Sequence, residues 1–449
     1  MTTTDVTGLD RVVDLLGDLI RFDTSNYGGG ESRGEREAAE WVAARLTDAG
    51  LEPVVLESAP RRASTVVRIP GRDRSAPGLM VHGHLDVVPA QASDWSVDPF
   101  AGEIRDDCLW GRGTLDMKDT VAGMLAVATT WADEGFVPPR DVVLAFVADE
   151  EDTGDLGAGF LAREHRDLFE GVTTAIGESG GGLIRLPDGG HLYGIGAGER
   201  GTAWMTLTAR GPAGHGSKRQ PDNAVATIAR TVAALDAIAW PVRVIPAVQA
   251  FLDGVGERLG VRVDPTNPAS LAALGRAADL VDRTLANSLS PTMLRAGYKA
   301  NVIPTEATAT VDGRILPGLE DEFFAAVDAV LPPTVTRAFA SRTYPVAADP
   351  ASPEFAAMTA SLLRADPGAT VVPSLLGGGT DAKAFSSIGI ACYGFTPQRF
   401  PESFGDGEPL VHGVDERVPL ESLHWGVRVF DDYLRSDPYH SATVPEESA

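Results

Sequence analysis

Apolar residues at Leu9, Val12, Val13, Leu16, Leu19 and Ile20 recur every three or four positions, and residues 35–46 repeat that spacing, so two amphipathic helices are expected to open the chain. Short unbroken apolar runs follow at 66–69, 79–82, 142–147 and 173–176. Each is bounded by turn residues, the look of strands buried on both faces of a parallel sheet. Between two of these runs, Val121, Met124, Leu125, Ala128 and Trp131 line one face of a helix. Strands alternating with helices predict a doubly wound α/β sheet.

The texture changes near Thr202. Residues 203–209 and 307–311 read as strands, while 223–239 and 321–331 read as amphipathic helices, an order typical of a small α+β unit. Between them, 241–296 reads as an insertion with helical runs around 271–289. The α/β texture returns after Thr343, with a helix at 355–363. The expected architecture is therefore an α/β domain with a mostly parallel sheet flanked by helices, made from 1–201 and 344–449 and interrupted by an α+β domain at 202–343. No internal repeat stands out, and the polar tail 441–449 reads as loose.

Composition narrows the classes of function. The chain has 449 residues, 43% hydrophobic and 22% charged, which excludes disorder and fibres. Lys and Arg number 38 against 63 Asp and Glu, a net charge of −25 that disfavours nucleic acid and anionic membranes. No apolar stretch approaches the ~18 residues of a spanning helix. Met1 to Asp10 lacks the pattern of a secretory signal, and only Cys108 and Cys392 are available for disulfides, so a reducing cytoplasm is expected.

Candidate chemistry gathers at predicted strand ends. Alternation puts His82, His84 and Asp86 on one face, and a carboxylate two residues from a ligand histidine can accept its second ring N–H. Asp116, the pair Glu150–Glu151, and Glu178 lie at or after other strand ends. Open α/β sheets bind ligands outside the carboxyl ends of their strands, so these groups would share one crevice. Unpaired carboxylates would repel there, whereas mixed imidazole and carboxylate donors suit zinc, cobalt or manganese. Taken singly, each acidic residue also fits a solvated rim.

In order along the chain stand Gly83-His84-Leu85-Asp86-Val87-Val88-Pro89, Gly111-Arg112-Gly113 with Asp116-Met117-Lys118, Asp149-Glu150-Glu151, Gly214-His215-Gly216-Ser217, Asn301-Val302-Ile303-Pro304, Gly378-Gly379-Thr380-Asp381 and His412. Together they resemble the co-catalytic zinc amidohydrolases, the family of aminoacylase, acetylornithine deacetylase, succinyl-diaminopimelate desuccinylase, carboxypeptidase G and dipeptidases. The resemblance covers nearly the whole chain. It implies two divalent metal ions, with Asp116 bridging, Glu151 and His412 completing one site, and His84 and Glu178 the other. It further implies that Asp86 orients His84, that Glu150 is the general base, and that His215 stabilises the oxyanion. Asn301, Arg314, Gly379 and Thr380 would bind substrate, with Arg314 facing a substrate carboxylate or, alternatively, closing a structural ion pair with Asp312. The inserted domain would be a lid and a dimerisation surface. The implied reaction is hydrolysis of N-acyl amino acids or short peptides, the dipeptidase and carboxypeptidase branch included.

Two rival motifs are present. Gly177-Glu178-Ser179-Gly180-Gly181 fits a serine nucleophile elbow, which needs a helix directly after Ser179. Gly196-Ala197-Gly198-Glu199-Arg200-Gly201 fits a dinucleotide fingerprint, which also needs a helix, although the context suggests a domain hinge. A catalytically inactive binding protein is the remaining class. Cys108, Cys392, His82, His165, His191, His424 and His440 read as ordinary packed or surface residues.

Overall fold

The computed structural model describes residues 8–405 and 410–439, and the tail 441–449 and His440 lie outside them. The described chain forms two compact units, one of Gly198–Ala347 with Leu375–Gly379, the other of the residues on either side.

In the first unit the four apolar runs become the strands β2 (Arg62–Ile69), β3 (Gly78–His84), β4 (Val142–Val147) and β5 (Val172–Gly177), and two strands that no such run announced join them, β1 (Val54–Ala59) and β6 (His191–Glu199), the last two residues of which fall in the second unit. All seven residues of β3 and all six of β4 are buried, as both-face coverage requires. The sheet order is Leu183–Arg185, β6, Ala391–Gly394, β5, β3, β4, β2, β1. Pairing is parallel from Ala391–Gly394 through β5 and β3 to β4, and antiparallel outside that block. The sheet is thus mixed rather than mostly parallel. The β1–β2 hairpin accounts for one antiparallel pair, since Ala59 to Arg62 reverses the chain, while β2 with β4 and β6 with Ala391–Gly394 pair antiparallel across long stretches of chain.

Helices α2 (Arg36–Asp48) and α3 (Lys118–Glu134) cover the sheet and α1 (Val12–Ile20) packs on α3, which is buried over most of its length. Alternation along β3 decides what faces what. Gly83 looks toward Met117, Val121 and Met124 of the α3 side, whereas the His82 ring lies 5.2 Å from Phe385 on the short helix Ala382–Ser386. His84 therefore emerges on the face away from α3.

The second unit runs β7 (Gly201–Arg210), α4 (Ala224–Asp236), β8 (Ser288–Ala296), β9 (Glu306–Ile315), α5 (Glu320–Val330) and β10 (Val335–Thr343). Its antiparallel sheet has the order β8-β9-β7-β10. Ala203, Met205, Leu207 and Ala209 point to one face and pack with Ile228 and Leu235 of α4 and Phe323 and Val327 of α5. The segment expected as a helical insertion is only partly that. A helix at Pro246–Leu259 begins with proline at its first turn and ends at left-handed Gly260, signals of helix start and stop. Residues 271–289 hold only short helical turns, and from Ser288 the chain is the edge strand β8. That strand is fixed by its ladder with β9, a distant pairing that local periodicity does not contain.

Both rival motifs meet strands. After Ser179 the chain enters the strand Leu183–Arg185, and after Arg200 it enters β7, so neither is followed by a helix.

Candidate active site

Strand ends build the site. β3 terminates at His84, whose ring is buried, with Nδ1 2.9 Å from the main-chain oxygen of Asp86. The carboxylate of Asp86 stands 3.6 Å from that nitrogen, so the carbonyl, not the carboxylate, is the acceptor of the ring N–H. Asp86 instead receives the main-chain N–H groups of Glu150 and Glu151, each at 3.2 Å, and the amide of Asn26 at 2.9 Å.

Asp116 follows the Gly111–Gly113 turn, just before α3, and its peptide bond to Met117 is cis. Its two oxygens face different histidines. Oδ1 lies 3.1 Å from His84 Nε2, and Oδ2 lies 3.0 Å from His412 Nε2. Glu178 Oε2 is 3.9 Å from His84 Nε2, and Glu151 Oε2 is 3.4 Å from His412 Nε2. His84, Asp116 and Glu178 form one group with metal-ligand spacing, and Asp116, Glu151 and His412 form another. The five residues expected as ligands thus come together around one shared carboxylate.

Glu178 is placed by a close contact beneath it. A methyl group on Gly177 would fall 2.2 Å from the His82 ring, so only glycine lets β5 lie against β3 at this point. His82 itself is buried, and burial with the nearby charge of His84 pushes its pKa down to about 3, which keeps it neutral.

Charge in the site is concentrated. Burial opposes a charged His84, yet the hydrogen bond and charge of Asp116, with Glu150 and Asp86 nearby, raise its pKa well above the usual value. Hydrogen bonds to Asp116 and Glu151 raise His412 to about 10. Burial alone would raise the Asp116 carboxyl, but the two histidines hold it well below the ordinary range. Glu150 is shifted well upward, by burial and then by the charge of Glu178, with Asp381 and Glu151 contributing. The donor set fits divalent cations: two imidazoles and three carboxylates converge, and Glu151 Oε1 is buried with no hydrogen-bond partner.

Two ligand loops are tied together by Arg112, which a motif contained without a role, and by Glu416, which no motif contained. Arg112 donates to Glu416 Oε2 at 2.5 Å and to the carbonyls of His412 and Gly413 at 3.2 and 2.9 Å. Glu416 Oε1 accepts the N–H groups of Gly113 and Leu115 at 3.1 and 2.7 Å. The loop of Asp116 and the loop of His412 thereby share one buried ion pair. Glu416, four residues after His412, had no signal in the sequence beyond that proximity.

Thr380 and Asp381 are buried in the first unit, where Thr380 Oγ1 accepts the N–H of Ala382 at 3.1 Å. His215, Asn301, Arg314 and Gly379 belong to the second unit. There the short strand Gly214–His215 pairs with Val302–Ile303, the Asn301 carbonyl accepts from Gly216 at 2.8 Å, and His215 Nδ1 lies 2.8 Å from Ser217 Oγ. Two motifs nearly ninety residues apart are thus neighbours. Arg314 makes the ion pair that was its alternative role, with Nε and Nη2 at 2.8 and 3.0 Å from the two Asp312 oxygens. Arg200, passed over as hinge, is buried beside it and donates to Ser288 Oγ and the Gly377 carbonyl. Burial and the charges of Arg314 and Arg283 pull its pKa down to about 10.

The profile of peptidase family M20/M25/M40 matches residues 80–436, a span that carries every residue of both ligand groups. The chain belongs to this family. Peptidase family M20/M25/M40 comprises metal-dependent hydrolases of amide and peptide bonds, and this chain is such an enzyme. It is 25% identical over 467 residues to the N-fatty-acyl-amino acid synthase/hydrolase PM20D1 of Xenopus tropicalis, covering 97% of this chain and 87% of that one. It is 25% identical over 465 residues to aminoacylase-1 of Mus musculus, with both chains covered completely. In fold it matches the M20 family metallo-carboxypeptidase Sso-CP2 of Sulfolobus solfataricus, with a TM-score of 0.66 at 17% identity over 94% of this chain and 98% of that one. Among the described residues no helix is long and apolar enough to cross a membrane.

Proposed function

We propose that this family member hydrolyses the amide bond of N-acyl amino acids and short peptides that carry a free carboxylate, with Glu150 as general base. The observation that carries this reading is one carboxylate, Asp116, shared between two ligand groups beside a further carboxylate, Glu150, that belongs to neither. His84 and Glu178 would hold one cation, Glu151 and His412 the other, with Asp116 between them. Zinc is the proposed metal, and cobalt or manganese suits the same donors. Two such cations polarise a carbonyl and lower the pKa of a bound water.

Glu150 takes the proton of the attacking water on its carboxylate and delivers it to the departing nitrogen. Its carboxylate belongs to neither ligand group, so it remains available to carry that proton. The main-chain oxygen of Asp86 fixes the His84 tautomer that leaves Nε2 free to ligate. His215 is proposed as the donor to the oxyanion by its place in the family motif, as Asn301, Gly379 and Thr380 are for substrate. Arg200 supports the free carboxylate, because a guanidinium whose pKa is lowered by burial and by its cationic neighbours gains from an added anion, and Arg314, held by Asp312, is proposed for that role by its place in the chain alone. By the same resemblance the second unit is proposed as the lid and dimerisation domain, and two cysteines in 449 residues fit a cytoplasmic enzyme.

Glu150→Gln tests the base directly. It should lower kcat by roughly 10²–10⁴-fold while both metal equivalents stay bound. Loss of metal together with activity would remove Glu150 from that role and make it a ligand.

A further inference from the structure

The turn that carries Glu150 and Glu151 is held from behind by side chains for which the hydrolytic reading has no use. Arg62, at the start of β2, is buried and donates from Nη2 to Asp149 Oδ1 at 2.7 Å and from Nε to Glu35 Oε2 at 2.9 Å. Asn26 extends its Nδ2 between Asp86 Oδ2 at 2.9 Å and Asp149 Oδ1 at 3.4 Å. Asp149 itself has φ of 72°, a left-handed conformation unusual for a residue with a side chain. Such a conformation persists only where its surroundings over-determine it. Here they do: Asp149 Oδ2 accepts from Leu156 at 2.9 Å, and its carbonyl accepts from Gly154 at 2.7 Å. The next two N–H groups, those of Glu150 and Glu151, end on Asp86.

Three buried carboxylates, Glu35, Asp86 and Asp149, therefore stand around one guanidinium. Without it they would repel, and Asp149 would lose the contact that anchors its side chain to β2. Resting on the hydrolase reading above, we propose that Arg62 is a positioning residue: with Asn26 it fixes Asp149 and so aims the base Glu150 and the ligand Glu151. The planar fork is needed because two carboxylates are met at once, which an ammonium on a flexible stem does poorly.

The test compares the full-length enzyme with Arg62→Met, Arg62→Lys and Asn26→Ala. For each, kcat and KM are measured on an N-acyl amino acid, zinc affinity by competition with a chromophoric chelator, and thermal stability without metal. Arg62→Met should lower kcat about 10–100-fold with KM within about twofold, and should weaken one of the two zinc equivalents about tenfold. Arg62→Lys should recover part of both losses, and Asn26→Ala should show smaller losses of the same kind. If Arg62→Met does not fold, the Lys and Ala variants decide by the same two readouts. Folded variants with unchanged kcat and unchanged zinc affinities would overturn the proposal. So would a kcat loss that vanishes once corrected for the folded, metal-loaded fraction. A wild-type enzyme that turns over no N-acyl amino acid would refute the substrate reading instead, while the zinc affinities would still decide the role of Arg62.

Discussion

At the scale of single residues, the site depends on charged groups that each serve two or more partners. Asp116 offers one oxygen to each histidine, Asp86 accepts two main-chain N–H groups and an amide, and Arg112 satisfies Glu416 and two carbonyls. Removing one partner of such a set leaves others buried and unsatisfied, which costs more than the lost contact alone. Arg112→Lys is the informative change, because lysine keeps the charge and loses the fork. The variant should fold and bind metal about 10–100-fold more weakly, read by chelator competition. Metal affinity equal to wild type would mean that the His412 loop holds its shape without the guanidinium.

At the scale of elements, α3 shows how a helix start can be tuned by pH. Asp119 in its first turn is buried, and burial raises its pKa to about 7, against hydrogen bonds from Thr120 and Gln398 that pull it down. The folded state therefore binds a proton that the unfolded chain releases near pH 4, so this residue's contribution to stability falls as pH rises from about 4 to 7. Asp119→Asn should match wild type in Tm near pH 4 and exceed it above pH 7, by roughly 1–3 kcal/mol of stability. An equal Tm difference at both pH values would contradict the assignment. The buried strands β3, β4 and β5 and helices α1 to α4 were legible in the sequence because each carries its own apolar period. The antiparallel edges and β8 were not, since their partners are set by pairing far along the chain. In the site, the candidate ligands could be read from motifs at strand ends. Asn26, Arg62 and Glu416 could not, because only tertiary contact joins them to those motifs.

At the scale of the whole molecule, two units of different texture share one chain, and the more acidic chemistry lies in the first. A net charge of −25 repels a carboxylate substrate at long range, so the proposed recognition of a free carboxylate would need short-range guanidiniums such as Arg200 and Arg314. The same charge favours divalent cations, and three carboxylates at one place give them a destination. The proposed metals, base and carboxylate-binding arginines amount to one claim, that this family member cleaves amides of amino acids with metal help. Amine release from a panel of N-acyl amino acids, N-carbamoyl amino acids and dipeptides, run with added zinc or cobalt and again after chelation, tests that claim most directly. The account predicts release from N-acyl amino acids that chelation abolishes and metal restores; release that survives complete removal of metal, or none from any member of the panel in either condition, would contradict it.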